Sequence, residues 1–507
     1  MAFGYNYDYN NSRQVTKVTD GVGNSKLLSY NGSNDVSQVR QVSSGETLGN
    51  VSYTYDANRN VTSATDNISG ITTTYTYPSS NKGLPVSATV TGADNLTATT
   101  VYTYTSDYNY LTSVTDSSGA TVSYTYDTST GNVTKVTDAN GNETNYTYNS
   151  SDLLSSVYAS VGDETAQVNY QYDGINRLTN ISNSDISYGF TYDLYGRRDT
   201  ITNSGSTLSD LTYNTDGTVS RVDLADGTYA TYTYDDRDRV TSASYDGTIA
   251  YTYKYNDNNA LTEVYDADND NTTSYLYDPA GRTVGISRTD GKNSAFAYDE
   301  QSRPVKTVFT QDNVVLNEQS YTYDSQSRIS SVECETAESE ISYNYDSLSR
   351  LTAKAETTRE NKTVSKNYAY KTNGSNQTAL VDSISYTKTE SGVTAQVYPT
   401  LSYDYDNNGN ITKVYENGVE KERYTYDSLN RLTREENVKL NRTYVMEYDA
   451  NGDILSKKTY NLTTGALLRD MQYEYNNTTW KNAFEINGTI IDNVLIDRVK
   501  IYHDKPP

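Results

Sequence analysis

The chain has a single histidine, His503, four residues from its C-terminus, so there is no histidine triad or histidine metal cluster to propose. The one cysteine, Cys334 in SSVECETAESE, has no internal disulfide partner. Glu333 and Glu335 beside it disfavour the thiolate, and it reads as a tolerated small residue. Scarce cysteine fits either a cytosol or a bacterial exterior that does not rely on disulfides. There is no long apolar run, and no positively charged apolar leader follows Met1, so the sequence predicts neither a signal peptide nor a membrane span. Basic charge is scarce: 41 Lys and Arg stand against 65 Asp and Glu, a net charge of −24. With no basic face to oppose phosphates, nucleic acid is not an expected partner. No GxxxxGK(S/T) or isolated Rossmann fingerprint occurs, so no cofactor is expected. No stretch sustains a 3.6-residue apolar period, which predicts essentially no helix.

The chain is rich in tyrosine, with 53 among 507 residues. Hydrophobic residues make up 35% and the mean hydropathy is −0.77, values that would suggest disorder without those rings. The tyrosines recur. In the stretch from Tyr232 to Val264, YTYDDRDRVTSASYDGTIAYTYKYNDNNALTEV, a strand-like run ends in Tyr-x-Tyr-Asp. A few polar residues then turn the chain, a run of the form (Val/Leu)-Thr-x-(Ala/Val) follows, and the pattern restarts. The markers Tyr213, Tyr234, Tyr255, Tyr277 and Tyr298 are separated by 21, 21, 22 and 21 residues, the signature of a repeat architecture. The defining residues are Tyr53, Tyr55 and Asp56; Tyr124, Tyr126 and Asp127; Tyr170, Tyr172 and Asp173; Tyr232, Tyr234 and Asp235; and Tyr275, Tyr277 and Asp278. They continue as Tyr321, Tyr323 and Asp324; Tyr343, Tyr345 and Asp346; Tyr403, Tyr405 and Asp406; and Tyr424, Tyr426 and Asp427. Pro78 and Pro85 predict a longer edge loop in one copy, and YAYKTNGSNQ, between Tyr345 and Tyr405, is a degenerate copy.

Side chains alternate along a strand, so the two rings of Tyr-x-Tyr share a face and the residue between them points the other way. The Asp opens a turn, and Gly, Asn or Ser a few residues later suits positive φ. A second turn, as in TDANGN, SYDGTI and YENGVE, carries the Asp/Asn-Gly hairpin signal. Each repeat is therefore two antiparallel strands and two turns, with the tyrosines expected in cross-strand ladders. About 22 repeats of two strands, each strand about 4.8 Å from the next, make a ribbon roughly 210 Å long and 20 Å wide. Twist curls such a ribbon, and a coil about 45 Å across would complete about one and a half turns.

The pattern Tyr-x-Tyr-Asp-x-x-(Gly/Asn)-Arg-(Leu/Val)-Thr is seen best in YQYDGINRLTN, YTYDSLNRLTR and YNYDSLSRLTA, and it resembles the YD repeat of the RHS family. The resemblance runs from about Tyr5 to about Tyr475. The family includes bacterial Rhs and wall-associated proteins, the C component of Tc toxins and the YD shell of teneurins. It implies an all-β fold: a long antiparallel ribbon of YD repeats, residues 1–479, coiled into a spiral hollow shell or partial shell. Residues 480–507 form a divergent tail whose alternating NVLIDRVKIY suits a last edge strand. It also implies a structural, non-catalytic bacterial shell that encloses and delivers a C-terminal toxin, secreted or attached to the cell surface in the full-length parent. The expected partners are an enclosed effector or the remainder of a larger shell. The alternative is a cell-surface adhesin whose exposed rings bind carbohydrate. The family's DPxGxxGG-like core has no counterpart here, since DPAGR, from Asp278 to Arg282, lies inside an ordinary repeat. The chain opens mid-repeat with no cap and ends without core or effector, which predicts a fragment.

One constellation resembles a metal site. Asp266, Asp268 and Asp270, with Asp278 taken as the twelfth position, mimic the oxygen spacing of a calcium loop. Asn271 in place of glycine, Asp in place of the terminal Glu and strand-like flanks favour a solvated hairpin turn. The other carboxylates sit at repeated turn positions, where turn chemistry accounts for them without a paired acid and base.

Overall fold

The computed structural model describes residues 5–20, 23–43, 45–79, 83–161, 164–184, 186–449, 452–476, 484–491 and 494–502. These residues are strands and turns throughout, with no helix among them. One repeat shows the pattern. Strand Tyr229–Tyr234 pairs antiparallel with Val240–Tyr245, which pairs with Thr248–Tyr255, which pairs with Leu261–Asp266. The expected two strands and two turns per repeat are present.

The alternation is as the pleat requires. Tyr53 and Tyr55 are half-buried and Thr54 between them is exposed, and the same holds for Tyr124–Thr125–Tyr126, Tyr232–Thr233–Tyr234 and Tyr275–Leu276–Tyr277. The partner strand carries a feature that the alternation rule does not provide. Tyr53 pairs with Ala64 and Thr54 with Ser63, but Tyr55 pairs with Val61, so Thr62 is left over as a β-bulge. Residues three apart normally face opposite sides. The bulge brings Val61 and Ala64 to the same face, opposite the two rings. The same shift recurs at Tyr126, Tyr172, Tyr234, Tyr255, Tyr277 and Tyr426, and it explains the (Val/Leu)-Thr-x-(Ala/Val) spacing.

The two turns differ. The hairpin turn Asp246–Gly247 has φ of 45° and 79°, the left-handed pair of a type I′ turn, which only Gly, Asn or Asp accept readily. The turn after Tyr-x-Tyr is three residues longer, and Asp at its head organises it. In the degenerate copy, strand Thr363–Asn373 carries the YAY and runs through Gly374 into the long strand Asn376–Glu390. Pro78 and Pro85 flank the connection between the paired residues Thr76 and Ser87, as expected of an edge loop.

Few side chains are fully buried. Ala159, Val332 and Met446 are the buried apolar residues among those described, and the accessible surface is 29227 Å². Cohesion therefore comes from the backbone ladder and from contacts between repeats.

By contacts the chain divides into two units. One comprises Met1–Thr100, Tyr188–Asn367 and Thr387–Ala395, and the other comprises Val101–Ser187, Tyr368–Tyr386 and Gln396–Pro507. Each joins stretches far apart in sequence. In the second unit, Val494–Tyr502 pairs in parallel with Leu467–Asn476 on one side and antiparallel with Phe484–Ile491 on the other.

Candidate functional site

The recurring site is a seam where each repeat meets the next. Asp235 heads the turn after Tyr234. Its Oδ1 accepts the N–H groups of Arg237 (2.9 Å) and Arg239 (3.1 Å), and its Oδ2 accepts Arg239 Nε (2.7 Å). The turn closes with Asp235 N–H donating to Arg239 O (2.9 Å) and Asp238 N–H to Asp235 O (3.0 Å), with Asp238 in the left-handed region at φ 58°. The Arg239 guanidinium, and then the converging N–H groups, lower the Asp235 pKa from 3.8 to about 2, against the opposing pull of desolvation.

Arg239 also reaches forward. Its guanidinium lies 4.5 Å from the centre of the Tyr255 ring, and one terminal nitrogen donates to Asn256 O (3.3 Å) at the head of the next turn. The Tyr255 hydroxyl donates back to Val240 O (3.0 Å), the carbonyl next to Arg239 at the start of the bulged strand. Four groups thus close a loop across the repeat boundary: carboxylate, guanidinium, ring and carbonyl.

The seam recurs with little change. Arg282 joins Asp278 to the Tyr298 ring, Arg303 joins Asp299 to Tyr323, Arg328 joins Asp324 to Tyr345, and Arg431 joins Asp427 to Tyr448. The hydroxyls of those four tyrosines donate to Thr283, Pro304, Ile329 and Leu432 carbonyls at 2.6–3.0 Å. Where the arginine is replaced, as by Asn60 or Asn410, the side-chain amide donates to Asp56 or Asp406 and the carbonyl bond persists from Tyr77 or Tyr426. Burial raises the pKa of Tyr234, Tyr323, Tyr345 and Tyr448. On the opposite face hydroxyls form their own rows: Thr54 with Thr62 and Ser63, and Thr233 with Thr241 and Ser242.

These contacts refine the expected tyrosine ladders. Across the strand pair the first ring faces an aliphatic residue, as Tyr232 faces Ala243 and Tyr275 faces Ile286, and the second ring reaches the previous repeat through its hydroxyl. In each repeat-defining triplet singled out in the sequence the second Tyr ends a strand, the first lies two residues inside it and the Asp heads the turn that follows. The seam's arginine was visible in the motif, but its ring partner, 16 to 20 residues ahead, was not.

A second set of contacts joins turns far apart in sequence within each unit. In the first unit, Ser43 Oγ donates to Glu300 O (3.4 Å) and Ser347 Oγ donates to Asp94 Oδ1. Gly92 packs so closely on Ser347 that an added Cβ would overlap its side chain and come within 3.0 Å of its backbone carbon. In the second unit, DANGN (138–142) meets DNNGN (406–410). Asn140 Nδ2 donates to Asp406 Oδ2 (3.0 Å) and Asn408 Nδ2 to Asp138 Oδ2 (2.7 Å). The backbone bonds are reciprocal too, Asn140 N–H to Asn408 Oδ1 (3.1 Å) and Asn407 N–H to Asn140 Oδ1 (3.0 Å). Ser428 Oγ donates to Ser160 O (2.5 Å). A cavity of about 270 Å³ lies beside this clasp, lined by Asn140, Asp406, Tyr424 and Asp427 among others.

The calcium-loop candidate is not drawn together as a cation cage. Asp266 ends a strand and accepts Asp268 N–H (3.1 Å) and the Asn269 side chain (2.8 Å), while Asp270, at φ 45°, accepts the Tyr265 hydroxyl (3.0 Å). The twelfth position from Asp266 is Tyr277, and Asp278, one further on, heads the next YD turn bound to Arg282. Among the described residues no group of three or more His, Cys, Asp or Glu is placed to hold a metal ion. His503 lies outside the described residues. No helix of the described residues is long and apolar enough to cross a membrane.

Residues 143–308 match the family model described as Teneurin YD-shell. Teneurin-1 from Homo sapiens and teneurin-1 from Gallus gallus are each 25% identical to this chain over 191 residues, 33% of this chain and 7% of their own length. The crystal structure of TcdB2-TccC3 has the same fold over 91% of this chain and 32% of its own, with a TM-score of 0.57 at 13% identity. The chain thus spans a small part of the relatives it matches. The bulged two-strand unit, its Asp-headed turn and these likenesses define an all-β YD-repeat protein. Residues 143–308 carry the YD-shell likeness, and the repeats on either side follow the same YD pattern.

Proposed function

We propose that this chain is wall: a non-catalytic segment of a bacterial YD-repeat shell that encloses and delivers a toxin, secreted or held at the cell surface in its parent protein. The observation that carries this reading is the seam. The conspicuous polar groups of the repeat, the YD aspartate, its arginine and the second tyrosine, bind one another or the backbone, so the repeated chemistry is spent on cohesion. The turn contacts are consistent with a spiral ribbon that passes back along itself. In each unit they join residues 253–270 positions apart, about twelve repeats of 21. Solution scattering tests the wall. A ribbon enclosing space gives a pair-distance distribution skewed to long distances with a depleted centre, whereas a filled, compact particle would overturn the reading. Sequence flanking the coding region tests the cargo: a shell core followed by an effector domain is expected, and a stand-alone surface protein would have neither.

A further inference from the structure

We propose that the reciprocal clasp of the second unit is a one-way latch: Asn140 and Asn408 are deamidation sites that the closed clasp protects, and deamidation of either keeps the clasp from closing again. Each asparagine is followed by glycine, in DANGN (138–142) and DNNGN (406–410), and a residue without a side chain gives the least steric cover to its own backbone nitrogen. That nitrogen is the nucleophile. In the first turn, Gly141 N attacks Asn140 Cγ, the new N–Cγ bond replaces the Cγ–Nδ2 bond, and the amide leaves as ammonia with the proton taken from the glycine nitrogen. Water then opens the cyclic imide at either carbonyl. The product is aspartate or isoaspartate, its carboxyl proton released to solvent.

The closed clasp holds both reacting groups away from this step. Asn140 Nδ2 donates to Asp406 Oδ2 (3.0 Å) and its Oδ1 accepts Asn407 N–H (3.0 Å), so the side chain is tied to the remote turn and is kept from folding back onto Gly141. The nucleophile is engaged as well, Gly141 N–H donating to Asp138 O (3.0 Å). At the other arm, Asn408 Nδ2 donates to Asp138 Oδ2 (2.7 Å), its Oδ1 accepts Asn140 N–H (3.1 Å), and Gly409 N–H donates to Asp406 O (3.1 Å). Each asparagine is therefore restrained by the turn that contains the other.

Deamidation reverses the sign of both contacts. The lost amide is the donor that faced a carboxylate, Asp406 for Asn140 and Asp138 for Asn408, and the new carboxylate meets a like charge with no proton between them. The older carboxylates are not free to turn aside. Asp138 Oδ1 accepts the N–H groups of Asn140 (3.0 Å) and Asn142 (2.8 Å), and Asp406 Oδ1 those of Asn408 (3.0 Å) and Asn410 (2.9 Å). One deamidation thus opens the clasp and withdraws protection from the second asparagine, 268 positions away.

Peptide mass spectrometry of the full chain, incubated in mildly alkaline heavy-oxygen water, reads each site. The chain unfolded in urea sets the unprotected rate, and both asparagines should react about tenfold or more slowly in the folded chain. Asn417–Gly418, an exposed hairpin turn whose Asn417 Oδ1 accepts Thr400 N–H (2.9 Å), serves as the control. Asn408→Ala should speed deamidation of Asn140 severalfold and leave Asn417 unchanged. Asn140→Asp carries the first product's charge, and it should speed deamidation of Asn408 severalfold and hasten hydrogen exchange at both turns. Folded rates equal to the unfolded ones, either variant leaving the other asparagine's rate unaltered, or an acceleration shared equally by Asn417 would each overturn the proposal.

Discussion

Tyr255 holds two neighbours at once: its hydroxyl donates to the Val240 carbonyl at 3.0 Å while its ring receives the Arg239 guanidinium at 4.5 Å. Both partners belong to the preceding repeat. Tyr255→Phe keeps the ring and removes the donor, leaving the carbonyl to find water or go unbonded. The expected loss is about 1 kcal/mol. Tyr255→Leu removes the cation–π contact as well and should cost more. Urea titration followed by tyrosine fluorescence separates the two, and equal losses would mean the ring contact contributes nothing measurable.

Acid should loosen the turns. The folded pKa of Asp235 is about 2, below its ordinary 3.8, so its contribution is fully present above about pH 4 and is lost as pH falls through 2. Asp56, Asp173 and Asp278 are shifted the same way, by converging N–H groups joined by the Asn60 amide in the first and by the partner arginines in the other two; at Asp278 burial opposes the shift. Melting temperature should hold between pH 7 and 5 and drop steeply between 4 and 2. Asp235→Asn keeps an acceptor for the turn but cannot titrate, and should flatten part of that drop. An unchanged acid slope across several such variants would place the acid sensitivity elsewhere.

Gly92→Ala places a methyl group against the Ser347 side chain and 3.0 Å from its backbone carbon. Relief requires the two turns to separate, and overpacking of this kind costs about 1–3 kcal/mol. Hydrogen exchange should show faster opening around both residue 92 and residue 347, although 255 positions separate them. Protection lost near residue 92 alone would mean the two turns do not report on one another.

Asn140→Ala and Asn408→Ala each break one arm of the reciprocal clasp. Because the two asparagines bond each other's turn, their losses should not add, and a double-mutant cycle should give a coupling of about 0.5–3 kcal/mol. Additive losses would show that the two turns are merely adjacent.

Much of this was legible in the sequence because it is local. The period of 21 or 22, the pairing of Tyr-x-Tyr on one face and the Asp-headed turn follow from spacing and turn chemistry within a dozen residues. The bulge was written there as well, since Val61 and Ala64 three apart cannot share a face on a regular strand, but the spacing passed as a motif rather than a geometric conflict. The Arg239–Tyr255 contact was harder to see, because it depends on which strands become neighbours. The Asn140–Asn408 clasp depends on how far the ribbon runs before it meets itself, a quantity set by accumulated twist. The calcium candidate stayed the lesser reading because alternating carboxylates suit a solvated hairpin as well as a cation loop, and Asp278 lies one residue beyond the twelfth position.

In the language of lattices, the natural repeating cell of this chain is offset from the sequence repeat. Its interior straddles the hairpin boundary, from Asp235 to Tyr255, and its faces fall at the Asp-headed turns. A truncation made at a hairpin such as Asp246–Gly247 therefore exposes a dangling bond of defined character, a guanidinium with no ring above it on one side and a phenol with no carbonyl to address on the other. Insertion or loss of one whole cell heals both and leaves every seam intact, yet it slides all later turns against their distant counterparts by one step, so vernier alignment between remote turns, rather than local chemistry, limits how such a chain can lengthen.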